Sequence, residues 1–216
     1  MLINSIFHSI NGECSLQHQG SLCTFIRFSM CNLQCRWCDT KYSQDKKNSK
    51  EMSIKSVINK ISSYGYKNIV ITGGEPLHQQ DELLFLLEAL NKKDYSVSIE
   101  TNGSYEIPYI GNYNVSWVAD WKCASSGMSQ YMNIDNLKNL THVDFLKFVI
   151  ADKQDFLEAL EVIKIMSVQK VHPKFVMSPT NRESSKELIA WMKGEKILRK
   201  TGAIFSLQIH KLLNID

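Results

Sequence analysis

The chain lacks the features that mark several broad classes of protein. No apolar run approaches the roughly 20 residues that a membrane-crossing helix needs, so no membrane span is expected. Excess charge is also missing. Lys and Arg total 25 against 22 Asp and Glu, a net +3, too even a balance to argue for nucleic acid or a membrane surface. The opening Met1-Leu2-Ile3-Asn4-Ser5 has neither a basic start nor a long apolar stretch after it. No secretory signal is expected, and the cytoplasm is the default. There are no repeats at periods of about 20 to 50 residues. The 10 glycines and 4 prolines form no linker, so a single domain over residues 1–216 is expected. Apolar residues are not scarce: at 44% they exclude global disorder, and 216 residues suffice for one sizeable core.

Six cysteines are present, at positions 14, 23, 31, 35, 38 and 123. In a leaderless chain of this size they read as reduced thiols or metal ligands rather than as three disulfides. Cys31, Cys35 and Cys38 fall within eight residues, and this clustering is the most informative feature of the composition.

Strand-like and helix-like segments alternate. Residues 22–28, 68–72, 96–100, 115–120, 143–150, 174–177 and 203–207 read as strands. Ile54, Val57, Ile58 and Ile61 sit at i, i+3, i+4 and i+7, so a helix is predicted over 53–64, with Ser53 as N-cap and Gly65 as stop. Further helices are predicted over 81–90, from Asp152 onward, and over 184–198. The one strongly polar stretch, residues 42–50, reads as a solvated loop. Such alternation implies βαβ units and a mostly parallel sheet. A closed eight-fold barrel needs about 250 residues. The fold expected is therefore α/β: an open, partial β/α barrel of about six parallel strands, with its site at the strands' carboxyl ends.

Those ends carry the candidate chemistry. After the strand at 22–28 comes the C-x3-C-x2-C loop of Cys31, Cys35 and Cys38. Closely spaced soft thiolates select zinc, copper or iron–sulfur. Structural zinc takes four protein ligands, and the loop offers three. A 4Fe–4S cluster on three thiolates keeps one iron open to a small molecule. A zinc site completed by Cys14, Cys23 or a histidine is the alternative, although His78, His142 and His172 stand isolated. The next strand ends in Thr72-Gly73-Gly74-Glu75-Pro76, where the glycines would let a ligand approach and free their N–H groups as donors. Glu75 would accept from an ammonium. The strand after it ends in Glu100-Thr101-Asn102-Gly103, polar groups within reach of a ribose.

This loop, with Trp37 before its last cysteine and GGEP following, resembles the radical S-adenosylmethionine superfamily. Gly12-Glu13 ahead of Gly20, the strand Phe25-Ile26-Arg27-Phe28 and the run over residues 31–42 resemble, within it, the 7-carboxy-7-deazaguanine synthases. The likeness continues through residues 72–76, Asp120-Trp121-Lys122 and Gln208-Ile209-His210-Lys211. The resemblance implies a 4Fe–4S cluster on Cys31, Cys35 and Cys38. It implies S-adenosylmethionine bound by Trp37, Cys38, Asp39, Gly74, Glu75, Lys122 and Ser178, and Mg2+ on Thr40. It implies a pterin substrate, 6-carboxy-5,6,7,8-tetrahydropterin, held by Gly12, Glu13, Cys14, Arg27, Thr72 and Asp216. A flavodoxin- or ferredoxin-type electron donor and a homodimer are also implied. The family usually reads Gln-Gly-Glu-Gly where this chain has Asn11-Gly12-Glu13-Cys14, so Cys14 puts a Cβ where the family has none. Two rival readings are a different radical enzyme, such as a glycyl-radical activase, and a zinc-stabilised binding protein.

Overall fold

The structure is a computed structural model and describes residues 1–111, 113–169 and 172–215. Nine strands form one sheet. They are β1 (Leu2–Ile10), β2 (Leu22–Phe28), β3 (Lys50–Glu51), β4 (Asn68–Gly73), β5 (Ser96–Thr101), β6 (Val115–Trp121), β7 (Phe145–Ile150), β8 (Lys174–Pro179) and β9 (Ile204–Phe205). Their spatial order is β3-β1-β2-β4-β5-β6-β7-β8-β9. From β2 to β9 every pairing is parallel, while β1 lies antiparallel to β2 and β3. Among the described residues there are six α-helices: α1 (Ile54–Ser62), α2 (Gln80–Asn91), α3 (Lys153–Met166), α4 (Ser185–Gly194), α5 (Lys196–Thr201) and α6 (Ile209–Leu213). The sheet does not close, so the open partial barrel is the observed architecture, with one more parallel strand than six.

The helices form where the sequence signals them. Ser53 caps α1, its side chain accepting the Ser56 N–H, and the helix buries Val57, Ile58 and Ile61. Asp152 caps α3 by accepting the Asp155 N–H. The segment expected as a single helix over 184–198 is instead two, because Glu195 after Gly194 is extended (φ −93°, ψ 116°) and turns the chain between α4 and α5. Strand β1 and helix α6 escape the periodicity reading. β1 is only half-buried along most of its length, and α6 buries no side chain, so neither leaves a clear apolar repeat.

Alternation along the strands sorts the side chains. The outward-facing set, including Ile26, Phe28, Ile71, Ile99, Leu146, Phe148 and Phe175, packs with Leu83, Leu86, Leu87, Phe156 and Ile163 of the helices into the main core. The inward-facing set has two tiers. Below, toward the strands' amino ends, lie Phe25 with Val70, and Val118 with Phe145 and Val176. One inward position further along the same strands stand Arg27, Thr72, Asp120, Lys147 and Ser178, joined on β5 by Glu100. The register sets Arg27 beside Thr72 and Asp120 beside Lys147. The 11–21 loop plugs the barrel from below. Gln17 Nε2 donates to the carbonyls of Ile69 (3.0 Å) and Ser96 (2.5 Å).

Candidate active site

Above the lower tier opens a cavity of about 440 Å³. Its wall includes Gly12, Glu13, Arg27, Cys31, Cys35, Trp37, Cys38, Asp39, Thr40, Thr72, Gly74 and Lys122. Twelve residues singled out in the sequence, spread over more than 100 positions, thus converge on one space. Four do not line it. Asp216 lies outside the described residues. The Cys14 side chain packs with Leu16 and Ile204 against Val118, Phe145 and Val176, so it faces the lower tier. Its Cβ points into apolar packing, away from the cavity, which is why a side chain is tolerated there. Burial pushes its thiol up from the ordinary value. Ser178 is fully buried on β8, and its Oγ has no hydrogen-bond partner.

Glu75 is the fourth, and its carboxylate is a brace. It is fully buried and accepts from Leu77 N–H (2.9 Å), Thr101 Oγ1 (2.8 Å) and Asn102 N–H (2.7 Å). These bonds tie the turn after β4 to the end of β5. Burial nevertheless pushes its carboxyl up to about 6. The turn's N–H groups are not free either, contrary to expectation. Gly74 donates to the Phe28 carbonyl (3.0 Å) and Glu75 to that of Met30 (2.7 Å). The glycine matters through contact: a Cβ on Gly74 would run into the Met30 carbonyl. The turn is therefore pressed flat against the start of the cysteine loop.

The three loop thiols are half-buried and free. Cys31 Sγ faces two donors, Leu33 N–H at 3.5 Å and Asn102 Nδ2 at 3.7 Å. Such donors stabilise a thiolate ligand and tune an iron–sulfur cluster. Among the described residues, the one trio of ligand atoms within 4.8 Å of one another is Cys123, Asp155 and Glu158. The loop thiols thus stand wider apart than the ~3.8 Å that tetrahedral Zn–S bonds of about 2.3 Å require. Cys14 and Cys23 are committed to apolar packing and supply no fourth thiol. Three spread thiols facing a cavity fit a cubane cluster better than zinc. The Cys123 trio is structural. Asp155 takes Ser125 and Ala151 N–H groups, and Glu158 takes the Trp121 indole and Ala124 N–H.

Across the cavity the polar tier divides into paired and unpaired charges. Glu13 Oε1 accepts from Gln208 Nε2 at 2.5 Å. Its other oxygen lies 3.1 Å from Lys147 Nζ, which is also 3.1 Å from Asp120 Oδ1. Asp120 Oδ2 meets Lys122 Nζ at 2.7 Å. Burial opposes both charges of this last pair. The two lysines outweigh it and hold Asp120 below the ordinary carboxylate range, and Asp120 with Cys35 keeps Lys122 raised. Arg27 stands apart. It is 8% exposed, with Nε unpartnered, no carboxylate within ion-pair distance among the described residues, and its guanidinium 5.4 Å from the Phe7 ring and 5.7 Å from that of Tyr42. Among the described residues, Glu100 accepts only from Thr72 Oγ1 (2.7 Å). Burial, then the Glu13 carboxylate, pushes it up to about 7. The C-terminal segment roofs the cavity. Lys211 pairs with Asp39 at 3.0 Å, and the His210 ring lies so close over Gly12 that any Cβ there would strike it.

Sequence reasoning left Lys147 out. It sits inside the apolar run Phe-Leu-Lys-Phe-Val-Ile of β7, and an ammonium in the middle of a buried parallel strand is the signal that would have found it.

A model of the radical SAM superfamily matches residues 25–119. The chain is 35% identical over 211 residues to the 7-carboxy-7-deazaguanine synthase of Clostridium acetobutylicum, covering 96% of this chain and 93% of that one. It is 34% identical over 187 residues to the enzyme of that name from Koribacter versatilis, covering 86% and 80%. The crystal structure of QueE from Escherichia coli shares the fold, with a TM-score of 0.75 at 22% identity over 95% of this chain and 92% of that one.

Proposed function

Because the chain belongs to the 7-carboxy-7-deazaguanine synthase family of radical SAM enzymes, we propose that its cavity contracts the ring of 6-carboxy-5,6,7,8-tetrahydropterin to 7-carboxy-7-deazaguanine with loss of ammonia. When bound, the 4Fe–4S cluster and S-adenosylmethionine supply the electron and the 5′-deoxyadenosyl radical that takes hydrogen from the pterin. Cys31, Cys35 and Cys38 would hold the cluster. Trp37, Asp39, Gly74 and Lys122 would line the cofactor, with Glu75 bracing the strand ends and Ser178 buried behind it. Thr40 would offer a hard hydroxyl oxygen to Mg2+ near the substrate carboxylate.

The observation that carries this reading is Arg27. A buried guanidinium without an anionic partner is costly, and here it faces a cavity walled by three thiols. Its planar fork suits a carboxylate, which the pterin carries and which would complete the pair. Glu13 and Glu100 lie ready to accept from the pterin's ring and amino N–H groups, with Thr72 orienting Glu100. The site works on a small molecule in water, the electron would come from a flavodoxin or ferredoxin-type donor, and a cytoplasmic homodimer is the working form.

The test is anaerobic turnover of the pterin by reconstituted protein with S-adenosylmethionine, Mg2+ and a reductant, followed by product mass. Formation of 7-carboxy-7-deazaguanine is expected. Cleavage of the cofactor without that product would keep the radical chemistry and overturn the substrate. Arg27→Met should raise KM for the pterin by about ten- to hundredfold, the worth of one or two charged hydrogen bonds, and leave cofactor cleavage without pterin unchanged. Cys35→Ala should lose both the cluster's visible absorbance and all cofactor cleavage.

A further inference from the structure

Lys147 is the centre of a continuous polar line across the cavity, Gln208–Glu13–Lys147–Asp120–Lys122. It projects from β7 with its side chain 6% exposed. Among the described residues, Glu13 Oε2 and Asp120 Oδ1 have the Lys147 ammonium as their one partner. Burial works against a charged lysine, but Asp120, Glu13 and Glu100 outweigh it and hold the group well above its ordinary value. A buried ion cluster of this kind is a poor source of stability, since apolar residues of like size usually do as well or better. Its value lies in what it fixes.

What it fixes is Glu13. That residue belongs to the plug loop, with no strand to hold it, and its carboxylate shares the cavity with a second carboxylate, Glu100. Two carboxylates in one enclosed space repel, and burial with the Glu13 carboxylate pushes Glu100 up to about 7. Lys147 stands on the Glu13 side, 3.1 Å from its Oε2. We propose that Lys147 is a positioning residue for the pterin: its ion pair holds the Glu13 carboxylate aimed into the cavity, so that Glu13 offers acceptor lone pairs to the substrate's N–H edge. This assignment rests on the functional reading above. It adds a division of labour, in which Arg27 takes the substrate carboxylate and the Lys147–Glu13 pair takes the opposite edge.

The experiment compares Lys147→Met and Lys147→Arg with the parent protein for KM and kcat on 6-carboxytetrahydropterin. The KM of Lys147→Met should exceed the parent's by at least about tenfold with kcat changed far less, while Lys147→Arg restores most of the loss. Cluster absorbance should stay at the parent level. An unchanged KM, or a loss that Lys147→Arg does not restore, would overturn the assignment. If Lys147→Met does not fold, the pair Glu13→Gln with Lys147→Met is measured against Glu13→Gln alone. Equal KM values support the coupling, and a further tenfold rise overturns it. A parent protein inactive on the pterin would bring down the functional reading and this assignment together. An active parent with an indifferent Lys147 variant overturns this assignment alone.

Discussion

A carboxyl group hydrogen-bonded to a hydroxyl, as Glu100 is to Thr72, carries its own pH signature. Burial and the Glu13 carboxylate push it up to about 7, against about 4.3 in an unfolded chain. Between those values the folded protein holds a proton that the unfolded chain has released, so this group makes stability fall as pH rises through that window. Glu100→Gln removes the ionisation. The variant should match the parent near pH 4.5 and exceed it in stability at pH 8, as chemical denaturation at a series of pH values will report. The cysteines were legible because their spacing is local and needs no fold to be read. Lys147 was not singled out, because a charge inside an apolar strand declares its direction only once the register places Asp120 beside Lys147, and Glu100 was read only as one group of a polar strand end. Cys14 misled for the same reason: its neighbours in sequence line the cavity while its own side chain turns the other way.

Between β4 and the cysteine loop, contact replaces bonding as the organising force. The turn at Gly73-Gly74 lies on the backbone of residues 28–30, and the N–H groups of Gly74 and Glu75 are spent there. Gly74→Ala puts a methyl group into the Met30 carbonyl and within 2.9 Å of the Ser43 carbonyl. Something must shift, and the start of the cluster loop is what lies in the way. The variant should bind less iron after reconstitution and lose about 1–3 kcal/mol of stability, the usual cost of overpacking, measurable as iron content and denaturation midpoint. Strand and helix alternation was plain from the apolar runs, since parallel strands buried on both faces must be apolar throughout. The break at Glu195 was hidden because Leu188 and Leu198, one in α4 and one in α5, are both buried, so the apolar pattern runs on across the turn.

Taken as a whole, the molecule is a barrel closed below by a loop and above by its C-terminal segment. The roof is lightly held. Helix α6 buries no side chain, and its ties among the described residues are Gln208 to Glu13, the Ile209 N–H to the Gly12 carbonyl and Lys211 to Asp39. Deleting residues 208–216 should leave the thermal midpoint nearly unchanged and raise KM for the pterin by about tenfold or more, because one charged hydrogen bond to Glu13 is lost. A large fall in midpoint would show that the roof belongs to the core instead. The barrel class was readable from length and strand count. The plug and roof were not, because both are irregular segments whose place depends on how far the sheet curls.

The two tiers inside the barrel have a consequence for the scaffold's history. The apolar rung carries packing, while the rung above it sets one polar side chain per strand at Arg27, Thr72, Glu100, Asp120, Lys147 and Ser178, all but Ser178 on the cavity wall. Selection can act on one rung with little penalty on the other. New substrates are then reachable by a handful of point changes, with no loop rebuilt and no strand re-registered, so chemistry can drift on this framework while the framework itself stands still.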